Sequence, residues 1–211
     1  MVIDKPISDF TVLKFNMKLI LKYAAILVLF IICTCAHAQK YKAEKEVRIK
    51  AKELPASILD QADQIINDAK KVKYYFESDS GRTSYEIKLK KDHILYSIEF
   101  NKNGMLEDIE RLVCFMALPD NVIQNVADHL AKYANYQIRK SQKQYSDPSA
   151  SLQQIFYSAH ANESRFTIRY ELIISVLQNN SWQGYEMLFD EQGKFLEQRE
   201  IVGRADDHIL Y

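Results

Sequence analysis

The stretch YEIKLKKDHILYSIEFNKNGMLEDIER, Tyr85 to Arg111, alternates apolar and polar residues through two runs and turns at Asn103-Gly104 into a third. Tyr85, Ile87 and Leu89 share one face of the first run, and Glu86, Lys88 and Lys90 share the other. After Asp92-His93 the residues Ile94, Tyr96, Ile98 and Phe100 form the next inward row. A period of two is the signature of strands with one buried and one wet face. Gly104 supplies the positive φ that a tight hairpin needs. The same programme returns in YELIISVLQNNSWQGYEMLFDEQGKFLEQRE, Tyr170 to Glu200, where Phe189 and Gly193 follow Phe100 and Gly104 at a spacing of 89.

Each meander is preceded by a helix signal. Leu54-Pro55 opens a run in which Ile58, Ala62, Ile65 and Ala69 recur at helical spacing, widened by Leu59 and Ile66. Leu118-Pro119 repeats the opening 64 residues later and leads into Val122, Val126, Leu130 and Tyr133. Before the first helix, Val47, Ile49 and Ala51 alternate with Arg48, Lys50 and Lys52 as in a short strand. Val72–Glu77 and Gln137–Tyr145 read as strands after the two helices, and a third strand is expected from Met105 through Leu112 to Met116. Asp147-Pro148 reads as an N-cap and first-turn pair, with a short helix from Ser149 to His160. The expected fold is α+β: a tandem repeat of helix plus antiparallel β-meander, with the helices on one face of the sheet and the other face open to water. The units are 39–117 and 118–211, the second with an insertion near 146–165, and Gly203 to Tyr211 reads as a tail.

Lys plus Arg and Asp plus Glu both number 28 among 211 residues, so the formal net charge is zero. A balanced chain has no long-range field to gather nucleic acid or an anionic membrane. From Met17 the sequence MKLILKYAAILVLFIICTCAHAQ has a short basic start, the apolar run Tyr23–Ile32 and the small-x-small site Ala36-His37-Ala38. Residues 17–38 therefore read as an export signal cleaved after Ala38, with Met17 as the expected true start and residues 1–16 as a leader. The expected location is periplasmic or secreted. The alternative is an outer-membrane-associated lipoprotein lipidated at Cys35 or Cys33, although Thr34 and Ile32 precede these cysteines where a small residue is usual. Only Cys114 then remains; within Leu112-Val113-Cys114-Phe115-Met116 it reads as a small buried hydrophobe.

Leu-Pro before a helix, Tyr85-Glu-Ile-Lys-Leu89, and Glu99-Phe-Asn-Lys-Asn-Gly104 followed by Leu106-Glu-Asp108 resemble the PepSY-like proteins of bacterial exported space. The pattern is also similar in outline to the small inhibitor proteins of β-lactamases, which pair two helix-plus-meander units. The resemblance covers Val47 to Val202, lies in element order and turn positions, and is interrupted by the insertion around 148–165. It implies binding or restraint of an exported protein and brings no catalytic residues.

No catalytic motif, phosphate loop or dinucleotide fingerprint is present. His93, His129, His160 and His208 stand apart without metal-ligand spacing and read as solvated or locally bonded. Asn101, Asn103 and Glu107, like Asp190, Gln192 and Glu197, echo a calcium loop but are better explained as hairpin turns. The acidic residues suggest no pair buried together for acid–base work. The chain is therefore expected to be a non-enzymatic module without metal or cofactor, recognising a protein or peptide through the outward sheet row Glu86, Lys88, Ser97, Glu99, Arg169 and Glu171. Trp182, beside a turn, is a candidate anchor or a rim residue. The alternative is an accessory component of the cell envelope.

Overall fold

The computed structural model of the chain describes residues 40–202. The expected leader and signal over 1–38, with Cys33 and Cys35, and the expected tail with His208 lie outside the described residues. The strands are β1 Lys40–Lys42, β2 Lys45–Ile49, β3 Lys70–Asp79, β4 Arg82–Lys91, β5 Ile94–Asn101, β6 Leu106–Leu112, β7 Tyr136–Ser146, β8 Thr167–Gln178, β9 Ser181–Asp190 and β10 Phe195–Ile201. The helices are α1 Ala56–Asn67, α2 Asp120–Leu130 and α3 Leu152–Ala161. Among the described residues no helix is long and apolar enough to cross a membrane.

The strands form one ten-stranded sheet in the order β1-β10-β9-β8-β7-β6-β5-β4-β3-β2. Every pairing is antiparallel except β1 with β10. Local chemistry explains the tight hairpins. Ser80-Gly81, Asp92-His93 and Asn179-Asn180 all take positive φ, the conformation whose twist matches paired strands in two-residue turns. The architecture is mixed-sheet α+β.

One face of the sheet is the core. Ile87, Leu89, Tyr96, Ile98, Phe100, Ile109, Tyr145, Leu172, Ile174, Met187 and Phe189 pack in one cluster with Ile58, Ala62 and Ile65 of α1, Val122, Val126 and Leu130 of α2, and Ile155, Phe156 and Ala159 of α3. The helix stripes read from the sequence are the buried stripes as far as Ile65 and Leu130, while Ala69 and Tyr133 lie beyond the ends of α1 and α2. Two hairpin tips rest on the first turns of helices. A Cβ on Gly104 would stand 2.6 Å from Ser57 Oγ, and one on Gly193 2.7 Å from the Val122 carbonyl oxygen. Gln61 Nε2 donates to the Gly104 carbonyl at 3.0 Å, and Asn125 Nδ2 donates to the Gln192 carbonyl at 2.8 Å.

The other face departs from expectation. The short strand expected over residues 47–52 is β2, which ends at Ile49 before a 3-10 turn over Ala51–Glu53, and an unexpected strand, β1, precedes it; the two pair with opposite ends of the sheet, β1 with β10 and β2 with β3. Only Ala43 and Glu44 separate them, so the sheet must curl until its edges approach each other. Arg199 Nη1 on β10 reaches Asp79 Oδ2 at the end of β3 at 2.9 Å, and the Ala43 N–H donates to Asp79 Oδ1 at 3.2 Å. The face expected to lie open to water is the inner wall of this curl.

Other boundaries move for local reasons. The strand expected to run to Met116 ends at Leu112, and a single 3-10 turn spans Phe115–Ala117. Cys114 therefore lies exposed at that turn and not in the core. The third helix starts three residues later than Ser149, because Ser151 caps it: its hydroxyl accepts from the Gln154 N–H while Gln154 Oε1 accepts from the Ser151 N–H. Asp147 instead accepts from the Ser149 N–H at 2.8 Å and closes a local turn.

Candidate functional site

The curled face encloses a concavity of about 710 Å³. Its floor is built by register. Glu86 on β4 stands opposite Glu99 on β5, and Glu99 stands opposite Asp108 on β6. Ser97 faces Glu110, Glu110 faces Gln144, Gln144 faces Arg169, and Gln142 faces Glu171. A bulge between Glu99 and Phe100, opposite Asp108 and Leu106, leaves Glu107 as the extra residue and aims Asp108 and Glu110 together onto this face. Twelve carboxyl side chains and seven lysines or arginines line the concavity, so carboxyl groups crowd it.

Part of this charge is internally matched. Lys88 pairs with Glu46 at 2.8 Å and with Glu86 at 3.0 Å, and Ser97 Oγ donates to Glu86. Lys42 pairs with Glu44 at 2.7 Å and with Glu186, while Arg199 Nε donates to Glu186 at 2.8 Å. Burial alone would raise the Glu86 and Glu186 carboxyls, but Lys88 beside the first and Lys42 with Arg199 beside the second hold both below the usual range. Burial likewise opposes the charge on Lys42, and Glu186, Glu171 and Glu44 outweigh it.

Other carboxyls of the concavity are crowded by like charge. Burial and the neighbouring Glu86 push Glu77 up to about 10. Glu99 and Asp108 are pushed well above the carboxylate range by burial, then by nearby carboxylates: Asp108 and Glu110 around Glu99, Glu110 and Glu107 around Asp108. Glu171 is raised by burial and by Glu186 and Glu110. Glu110 accepts from the side-chain amides of Gln142 and Gln144, the latter at 2.9 Å. Asp108 Oδ1 is shut off from solvent and accepts no hydrogen bond.

The sequence-derived row is thus relocated. Glu86, Lys88 and Ser97 are buried, Glu99 and Glu171 are half-buried, and Arg169 remains exposed at the margin. Trp182 is 46% exposed at the start of β9 and does not line the concavity. Asp108, Glu110, Lys42, Glu186 and Arg199 belong to the site and were not singled out from the sequence. No acidic pair was expected to be brought together for acid–base work; Glu99, Asp108 and Glu110 do come together, with carboxylate oxygens within 4.8 Å of one another, Glu110 buried and the other two half-buried.

No family model matches the chain. No curated protein matches it either. Solved structures give partial likenesses. A DUF2874 family protein from Bacteroides ovatus is 17% identical, aligned over 69% of this chain and 86% of its own, with a TM-score of 0.46. A BLIP-like protein from Bacteroides fragilis is 17% identical over 70% of this chain and 87% of its own, with a TM-score of 0.43. A second DUF2874 family protein, from Bacteroides uniformis, is 13% identical over 70% of this chain and 89% of its own, with a TM-score of 0.47. The PepSY likeness gains no support from these, and the reading of the concavity rests on its own residues.

The histidines and the cysteine lie elsewhere. His160 is a bonded imidazole: its Nδ1 lies 3.0 Å from the Tyr96 hydroxyl and its Nε2 3.3 Å from Asp92 Oδ2. Tyr96 is fully buried among core residues, so this chain of contacts anchors α3 on the sheet. His129 stacks on Phe195 with ring centres 4.1 Å apart, and burial followed by the neighbouring Lys132 lowers its affinity for a proton. The two calcium-like turns are hairpin turns. Asn101 Oδ1 accepts from the Asn103 and Met105 N–H groups, and Asp190 Oδ1 accepts from those of Gln192 and Lys194.

Proposed function

We propose that this chain is an exported, non-catalytic binding module that receives a positively charged element of a protein or peptide partner in its curled sheet. The observation that carries this reading is the concavity of about 710 Å³, crowded by twelve carboxyl groups beside seven lysines or arginines. A partner lysine or arginine entering it would relieve like-charge crowding that folding alone leaves in place. A tandem arrangement of two units would fit the same reading. Gln61 and Asn125, 64 residues apart, each pin the hairpin that ends the following meander. Two helix-clad copies arranged in this way would supply the two halves of one concave wall.

The test is capture from the exported fraction with wild-type chain, with Glu107→Lys, and with Arg169→Glu, all read at low and high salt. Both variant positions are exposed, so the fold should tolerate them. Glu107→Lys should lower partner recovery at least tenfold, Arg169→Glu should not lower it, and salt should weaken capture by screening. Recovery indifferent to both variants and to salt would remove the proposal.

A further inference from the structure

We propose that the tip of the β8–β9 hairpin is an anchor that seats Leu177 and Trp182 among the headgroups of a phospholipid surface. The inference goes beyond partner capture, and neither anchoring residue lines the concavity. Pairing of β8 with β7 stops at Val176, and pairing of β9 with β10 stops at Tyr185. Beyond these, the Leu177 N–H donates to the Asn135 carbonyl at 3.0 Å. The turn end of the hairpin therefore projects past both flanking strands. Leu177 and Trp182 stand opposite each other there, 36% and 46% exposed, while every residue from Leu172 to Val176 is buried.

Composition matches the place. From Leu172 to Tyr185 the sequence carries no charged residue, in a chain that is 27% charged. A tip without charge avoids the largest cost of leaving water. The flanking strand ends are apolar and exposed as well, with Tyr136 at the start of β7 and Val202 just after β10. Trp and Tyr favour the boundary between water and hydrocarbon, because the ring is apolar while its N–H or O–H stays wet. The charge sits one step back. Arg139 is exposed, and its Nε donates to Ser175 Oγ at 3.1 Å. Ser175 lies on the same face as Leu177 and about 7 Å behind it along the strand. That depth suits a guanidinium on lipid phosphates while Leu177 and Trp182 reach deeper. A second protein fits the tip less well. A stable interface buries about 800 Å² on each side, and even a fully covered Trp supplies only about 150–250 Å² of it. Two side chains hold less apolar surface than one myristoyl chain, whose membrane affinity is about 10⁴ M⁻¹, so the anchor is weak and reversible. The zero net charge of the chain agrees with contact made by the tip and not gathered by a long-range field.

The test is titration of the chain, purified from the exported fraction, with phosphatidylcholine vesicles, with and without phosphatidylglycerol. Binding is read by co-sedimentation and by the fluorescence of Trp182, the single tryptophan of the sequence. Vesicles are expected to shift Trp182 emission to the blue, and brominated phosphatidylcholine to quench it. Leu177→Gln should lower vesicle binding about fivefold, the share of one half-exposed side chain. Arg139→Gln should remove the preference for phosphatidylglycerol vesicles. Met105→Gln, more exposed than either tip residue but at the opposite end of the sheet, should leave binding unchanged. Leu177→Gln should melt with wild type, because its side chain already meets water, and that separates a lost anchor from a lost fold. Trp182 emission indifferent to excess lipid would overturn the anchor. So would equal losses in Leu177→Gln and Met105→Gln, or a blue shift that follows protein concentration without vesicles and marks pairing of two copies. None of these outcomes bears on partner capture, which is read through Glu107 and Arg169.

Discussion

Gly193 and Gly104 hold equivalent turns but face different obstacles, and the difference is measurable. Both take positive φ, +80 and +76, where a side chain costs on the order of 1–3 kcal/mol. A Cβ on Gly104 would meet the end of a serine side chain, which can rotate away. One on Gly193 would meet the Val122 carbonyl oxygen at 2.7 Å and Val122 Cα at 2.9 Å, both backbone atoms of α2. Gly193→Ala is therefore expected to lower the urea midpoint more than Gly104→Ala, the latter losing about 1–2 kcal/mol. Equal losses would mean that α2 yields at its first turn. The need for glycine at both positions is legible in the sequence, because each closes a hairpin between alternating runs. The helix pressed against it is not, since close approach across 71 residues, from Val122 to Gly193, leaves no local pattern. The acidic floor divides in the same way. Period-two alternation places Glu86 and Glu99 on one face, but Glu107 is an extra residue that breaks the alternation just where Asp108 joins them.

At the scale of the element, α3 shows where local chemistry was readable and misread. Asp147-Pro148 has the composition of a helix start, yet the capping pair Ser151 and Gln154 stands four residues further on and governs. Ser151→Ala is expected to cost about 1 kcal/mol, the usual value of a lost cap. Asp147→Ala, which opens only the turn with Ser149, should cost less. Ile155→Ala, at a fully buried position of the same helix, should cost about 2–5 kcal/mol. Chemical denaturation of the three variants checks the order, and an Asp147→Ala loss exceeding that of Ser151→Ala would return the helix start to Asp147. The α1 and α2 stripes were legible because a single apolar face repeats through them. The split of the Lys40 stretch into β1 and β2 was not, because both halves are charged and their partners lie at opposite ends of the sheet.

Over the whole molecule, curling the sheet turns a wet face into an inner wall, and this should be visible as a pH dependence of stability. Two opposed groups of carboxyls result. Glu86 and Glu186 are held below the usual range by their cations, so they contribute stability that is present at neutral pH and lost as pH falls. Glu77 is raised from an ordinary value of 4.5 to about 10 by burial and by Glu86. The folded chain then keeps this proton where the unfolded chain has released it. Its contribution is complete at low pH and declines as pH climbs from 4.5 towards about 10. Glu99, Asp108 and Glu171 are raised as well and act in the same direction. The chain is therefore expected to be less stable in urea near pH 9 than near pH 6, whereas exposed acid–base pairs would leave stability almost flat between these values. Glu77→Gln, which keeps a group able to bond with Ser84 but cannot ionise, should narrow the gap between the two pH values. Equal stability of the wild-type chain at both would mean that the inner wall is hydrated enough to ionise freely, and the sheet would then be more open in solution than the contact between Arg199 and Asp79 implies.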